Sequence, residues 1–202
     1  MADPTLILAS ASPRRLDLLR QIGCEPQHLI AASIDETPLK NELPRVHAIR
    51  LAREKAEAVY GKPEIAVLAG AFVVLAADTV VGVGRRILPK AETEEDARAC
   101  LALLSGRAHR VHTALALIGR DGQRRLRHVE TKVGFKRLSQ EEIETYIASK
   151  EWQGKAGGYA IQGLAAAYID FLSGSYSGVV GLPLYETAQL LGSFGIKAKR
   201  VP

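Results

Sequence analysis

The feature that most constrains the fold is the apolar stretch at residues 65–83, interrupted only by Gly70, Asp78, Thr79 and Gly82. An ionisable Asp and two glycines inside it argue against a membrane span and for a buried strand. Strand and helix patterns alternate around it. Residues 5–9 read as a short strand that hands over at Ser10-Ala11-Ser12-Pro13 to an amphipathic helix over residues 14–21. Ser12 suits the N-cap of that helix, Pro13 its first position and Gly23 its stop. Residues 27–32 read as a second strand, residues 35–43 as a polar loop and residues 44–60 as a helix ended by Gly61. The long apolar strand returns through Gly84-Arg85-Arg86.

Farther on, Thr93 and Asp96 frame a capping box that opens a helix reaching Leu104, and Ser139 and Glu142 open another reaching Ala148. Residues 109–118 and 126–138 alternate like antiparallel strands around Asp121-Gly122. Residues 159–161 and 166–172 read as strands, residues 174–183 as a constrained loop and residues 183–191 as a last helix. This order predicts an α/β fold: a mixed twisted sheet flanked by helices. No repeat and no linker divides the chain, so residues 1–202 read as a single domain.

Charge and composition exclude several classes. The chain has 27 Lys and Arg against 22 Asp and Glu, a formal net charge of +5 that is compatible with an acidic ligand. The densest basic runs, at residues 124–128 and 197–200, have no aromatic residues interleaved to stack bases, which disfavours nucleic-acid binding. The histidines are scattered and the two cysteines lie far apart, so neither a zinc cluster nor a disulfide is expected. Without an export signal or a membrane span, a cytoplasmic protein with no membrane partner is the expectation.

Some residues carry chemistry. Ser10-Ala11-Ser12-Pro13-Arg14-Arg15 stands where a strand gives way to a helix. Free backbone N–H groups and the positive helix end suit a phosphate there, and two hydroxyls and two guanidiniums add donors. Read alone, the segment is equally a capped helix with surface arginines. Asp78 stands late in the apolar run, where a carboxylate can hold a divalent cation or activate water, although a turn-forming Asp is the plainer reading. Lys55, Lys90 and Glu36 each read alone as surface charges. Gln162, in Ile161-Gln162-Gly163, offers a donor and an acceptor suited to the edge of a base.

Taken in order, these pieces resemble the Maf family over nearly the whole chain. The residues that carry the resemblance are Leu8-Ala9-Ser10-Ala11-Ser12-Pro13-Arg14-Arg15, Ile34-Asp35-Glu36-Thr37-Pro38, Arg53-Glu54-Lys55-Ala56, Ala77-Asp78-Thr79-Val80-Val81 and Gly181-Leu182-Pro183-Leu184. The resemblance implies a two-lobed fold like that of the inosine-triphosphate pyrophosphatases, with an active-site cleft between the lobes. It also implies hydrolysis of a nucleoside triphosphate between its α and β phosphates with Mg²⁺ or Mn²⁺. Ser-Pro-Arg-Arg, Ala-Asp-Thr and Ile-Gln-Gly are the pattern of members that prefer dTTP and UTP. Arg14, Thr79 and Gln162 therefore point to that branch and away from the one that takes 7-methyl-GTP. Lys90-Ala91 departs from the family's common Lys-Pro but keeps the lysine.

On this resemblance Asp78, Lys55 and Lys90 are the expected catalytic residues. Ser10, Ser12, Arg14, Arg15, Thr79 and Gln162 are expected to bind substrate, and Glu36 and Asp78 to hold the metal. The expected partner is a small nucleotide, with a homodimer as the family's assembly. A nucleotide-responsive regulator of septum formation is the non-enzymatic alternative. The presence of Asp78, Lys55 and Lys90 together favours catalysis over it, because a pure binder needs no base.

Overall fold

The computed structural model describes residues 4–199. Strand β1 (Thr5–Leu8) leads into helix α1 (Pro13–Gln21) and the short strand β2 (His28–Leu29), which pairs parallel to β1. Helix α2 (Pro44–Tyr60) and the single-turn helix α3 (Pro63–Ala66) precede the long strand β3 (Phe72–Val83). β3 turns back into β4 (Arg86–Leu88), followed by β5 (Lys90–Ala91) and helix α4 (Glu94–Leu104). The hairpin β6 (Ala108–Gly119) and β7 (Arg124–Phe135) leads to helix α5 (Gln140–Ser149) and strand β8 (Lys155–Ala156). A 3-10 turn over Leu164–Tyr168, strand β9 (Ile169–Ser173), helix α6 (Tyr176–Val180) and helix α7 (Leu184–Gly192) complete the order.

The main sheet runs β2-β1-β3-β6-β7-β9, with β4 also on β3, and β5 pairs with β8 in a separate ribbon. β1 is parallel to β2 and β3, and the remaining pairs are antiparallel. The predicted mixed α/β sheet is what forms. β3 is apolar almost throughout because helices cover both of its faces. Val73, Leu75 and Ala77 pack with Leu18 and Leu19 of α1 and Leu190 and Leu191 of α7. Val74, Ala76 and Val80 pack with Ala48, Ala52, Ala56 and Val59 of α2. A third cluster joins Val81, Val111 and Val133 at the far ends of the long strands to α4, α5, Trp152 and Tyr159.

Two consequences place the site. The alternation along β3 puts Asp78 on the α2 face and Thr79 on the α1 and α7 face. The β1 edge of β3 is also interrupted. β1 pairs with β3 only as far as Leu8↔Leu75, and β4 joins only at Val81↔Leu88. Residues 76–80 therefore have no strand on that side, at the carboxyl end of a parallel strand, where α/β sheets open their clefts.

The structure corrects several local expectations. Residues 159–161 are not a strand. Tyr159, Ala160 and Ile161 are all buried, which no one-faced strand allows, and Ala160 N donates to the Tyr146 hydroxyl at 3.0 Å instead of to a neighbouring strand. The strand expected over residues 166–172 begins at Ile169, after the 3-10 turn. The expected strand at 27–32 is regular only at His28–Leu29, and the long strand starts at Phe72 after α3. Residues 176–180 of the expected loop form α6. Ser12 stands at the N-cap of α1, but its side chain makes no capping hydrogen bond. Both capping boxes form as read, at Thr93 with Asp96 and at Ser139 with Glu142. No helix among the described residues is long and apolar enough to cross a membrane.

Candidate functional site

The buried stripe of α2 runs through Ala48, Leu51, Ala52, Lys55, Ala56 and Val59, the spacing of one helix face. Three alanines let α2 lie close on β3 and β6, and Lys55 occupies a position where an apolar residue would ordinarily stand. It is only 7% exposed and faces Asp78, which is 4% exposed. Lys55 Nζ donates to Asp78 Oδ1 at 2.6 Å and pairs with Glu36 Oε1 at 2.6 Å. Lys90, from β5, donates to Glu36 Oε2. Two carboxylates and two ammoniums thus form one chain, Asp78–Lys55–Glu36–Lys90.

Burial alone would raise the Glu36 carboxyl. Hydrogen bonds from Lys55 and Lys90, with their charge, outweigh it and bring the group down to about 2 from the ordinary 4.5. A depressed carboxyl contributes stability that is present above its unfolded value and lost as pH falls toward the folded one. The stability gap between wild type and Glu36→Gln should therefore be full above about pH 4.5 and shrink below it. Urea midpoints from about pH 6 to about pH 3 measure this, and a constant gap would contradict the linkage.

The first turn of α1 closes the other side. Arg15 Nη1 donates to Ser10 Oγ at 3.1 Å, and Arg15 Nε donates to the Gly181 carbonyl at 2.9 Å, tying α1 to the α6–α7 junction. Burial lowers Arg15, with Arg14 opposing its charge too, while Asp78 and Glu36 support it. Thr113 Oγ1 donates its one proton to the Gly178 carbonyl at 2.7 Å and shares a second hydrogen bond with the Thr79 hydroxyl 3.2 Å away.

These groups surround a cleft of about 340 Å³ lined by Ser12, Arg14, Arg15, Lys55, Asp78, Thr79, Lys90 and Gln162. A smaller recess adjoins it and adds Ser10 and Glu36. Every site residue expected from the sequence borders either the cleft or this adjoining recess. The chemistry available is oxygen donors from two carboxylates, a dense set of cationic donors, and an amide at the rim. Among the described residues no group of three or more His, Cys, Asp or Glu is arranged to hold a metal. The two carboxylates would suit a hard cation that takes one or two protein carboxylates and completes its shell with water and phosphate.

Sequence reasoning missed Lys155 and Tyr159, which also line the cleft. Lys155 lies in Gly154-Lys155-Ala156-Gly157-Gly158, where the glycine density was the available signal. Gly157 has φ +69° with its position hard against Val81, so the ribbon carrying Lys155 is seated directly on β3. Also missed was the clamp on the loop that carries Glu36. Arg50 of α2 reaches the Thr37 carbonyl at 3.0 Å and both Glu42 oxygens at 2.8 and 2.9 Å. Hydrogen bonds from Arg50 hold the Glu42 carboxyl down to about 2 against burial.

The chain is similar to known proteins over nearly its whole length. A dTTP/UTP pyrophosphatase of Caulobacter vibrioides is 61% identical over 196 residues, covering 97% of this chain and 98% of its own length. One of Paramagnetospirillum magneticum is 63% identical over 190 residues, covering 94% and 97%. Among solved structures, a HAM1 protein from Coxiella burnetii overlaps 68% of this chain and 75% of its own, with 17% identity and a TM-score of 0.41. The profile of the Maf-like proteins matches residues 5–194, a span that takes in every residue lining the cleft, and the chain belongs to that family.

Proposed function

We propose that this protein is a nucleoside triphosphate pyrophosphatase that hydrolyses dTTP and UTP to the monophosphate and pyrophosphate. The observation that carries the reading is the buried Lys55 ammonium held 2.6 Å from both Asp78 and Glu36 in a cleft rimmed by arginines and serines. A buried carboxylate beside a polyphosphate-sized basic cleft suits a base acting next to an anion. The names of relatives at about 60% identity supply the nucleotide.

In this reading Arg15, Lys55 and Lys90 neutralise the triphosphate, and the Ser10–Ser12 turn cradles it through hydroxyl and backbone donors. Asp78 accepts the proton of the water that attacks the α phosphorus. The bond from that phosphorus to the bridging oxygen breaks, its electron pair stays on the departing pyrophosphate, and Lys55 and Lys90 offset the new charge. Mg²⁺ or Mn²⁺, held by Glu36 and Asp78 directly or through water, would supply Lewis-acid polarisation of the phosphates.

Arg14, Thr79 and Gln162 set which nucleotide is accepted. Uracil and thymine share an N–H flanked by two carbonyls, and an amide can pair with one N–H and one carbonyl at once. A Gln162→Glu variant keeps the acceptor and loses the donor. It should reduce kcat/KM for dTTP and UTP by about tenfold, the lower end of the effect of one unmatched polar contact. Rates across the common triphosphates and 7-methyl-GTP test this, and an unchanged preference would remove Gln162 from recognition.

A further inference from the structure

Apart from Arg15, which is held by Ser10 and the Gly181 carbonyl, the cations of the cleft fall into two sets. Lys55 and Lys90 are matched one for one by Asp78 and Glu36. Arg14 and Lys155 are not. Arg14 Nε is buried with no hydrogen-bond partner, and among the described residues no carboxylate forms an ion pair with either side chain. Among the described residues, Lys155 Nζ donates only to the Gln153 carbonyl, at 2.9 Å. Glu151, whose charge acts on Lys155, has its carboxylate engaged by Leu164 N at 2.7 Å. Burial lowers Arg14, and burial followed by the charge of Arg14 lowers Lys155. Two like charges held together in a partly dry cleft are unfavourable until an anion lies between them.

The ribbon fixes where that anion sits. Ala91 pairs with Lys155 and Lys90 with Ala156, and the ribbon is closed by Gly154 N donating to the Ala91 carbonyl at 2.8 Å and Gly157 N to the Pro89 carbonyl at 2.9 Å. Lys155 is therefore held one strand away from Lys90. Lys90 borders both the main cleft and the recess that contains Glu36, whereas Lys155 and Arg14 border the main cleft but not that recess, as Gln162 does.

We propose that Lys155, beside Arg14, grips the phosphate nearest the nucleoside, so that it binds the substrate's α-phosphate and retains the nucleoside monophosphate after cleavage. The proposal rests on the pyrophosphatase reading and adds to it a phosphate contact outside the acidic chain. One ammonium on one phosphate group is worth a charge-assisted hydrogen bond, on the order of tenfold in affinity or more.

Inhibition of dTTP turnover by dTMP, thymidine and pyrophosphate tests it, with wild type, Lys155→Met and Lys155→Arg compared. Lys155→Met should raise the inhibition constant of dTMP by about tenfold and leave those of thymidine and pyrophosphate within about twofold, and Lys155→Arg should restore most of the loss. The ratio of the dTMP to the thymidine constant is the deciding quantity, because a loosened fold would shift both. An unchanged ratio, an equal loss for thymidine, or a loss confined to pyrophosphate would overturn the assignment. Wild-type conversion of dTTP to dTMP is the control: its absence would overturn the activity itself, and its presence with an unshifted ratio would overturn only the role of Lys155.

Discussion

Asp78→Asn is expected to lower kcat for dTTP by about three orders of magnitude, within the range for loss of a general base. The amide has the carboxylate's shape and can still accept from Lys55, but it cannot take a proton from water. Removing the charge need not unfold the protein. Lys55 keeps Glu36 as a counter-charge at 2.6 Å, so no isolated ammonium is left in the interior. The variant should fold with a modestly lower Tm and bind nucleotide, while pyrophosphate release almost ceases. Near-wild-type turnover would remove Asp78 from the chemistry. A variant that also lost nucleotide binding would assign it to the cleft's architecture instead.

Arg50→Ala should have the largest effect on stability. The Arg50 side chain is 14% exposed and that of Glu42 4%, and their two-point contact is extended by Glu54 at 3.0 Å and by Leu39 N on Glu42 at 2.9 Å. Removing the guanidinium leaves a carboxylate buried beside weaker donors, which costs about 3 kcal/mol when one partner of a buried pair is lost. For a chain of this size that is a fall in Tm of about 10 °C. Activity should fall as well, because Arg50 also holds the Thr37 carbonyl next to Glu36. In the proposed mechanism this appears as a higher Mg²⁺ concentration for half-maximal rate. Arg50→Lys keeps the charge but not the fork, so it should recover part of the stability and little of the loop's order. A Tm within about 2 °C of wild type for Arg50→Ala would mean the clamp contributes little.

The parts of this structure legible in the sequence are those set by local pattern. Helix α2 has the bounds that Pro44 and Gly61 announce, and both capping boxes form where Ser or Thr precedes an acid by three residues. The continuous apolar run of β3 could also be read as a buried strand, whereas the opposite facing of Asp78 and Thr79 shows only in the packing. The remainder depends on pairings distant in sequence. Strands β5 and β8 are two residues each, too short for any period, and exist because Gly154 and Gly157 meet the 89–91 segment. Residues 159–161 mimic a strand in composition but are buried on all sides. Glu42 and Arg50 are ordinary surface types whose burial only the folded loop reveals. The candidate site residues stand in ordered motifs that the sequence displays. Lys155 belonged to none of those motifs, and its place became visible only with the ribbon in position.

The most direct test of the account is which bond breaks. Wild-type protein is incubated with dTTP and Mg²⁺ in heavy-oxygen water, and the products are separated and weighed. Attack at the α phosphorus predicts labelled dTMP and unlabelled pyrophosphate, abolished by Asp78→Asn. Formation of dTDP and orthophosphate, or label in the pyrophosphate, would contradict it.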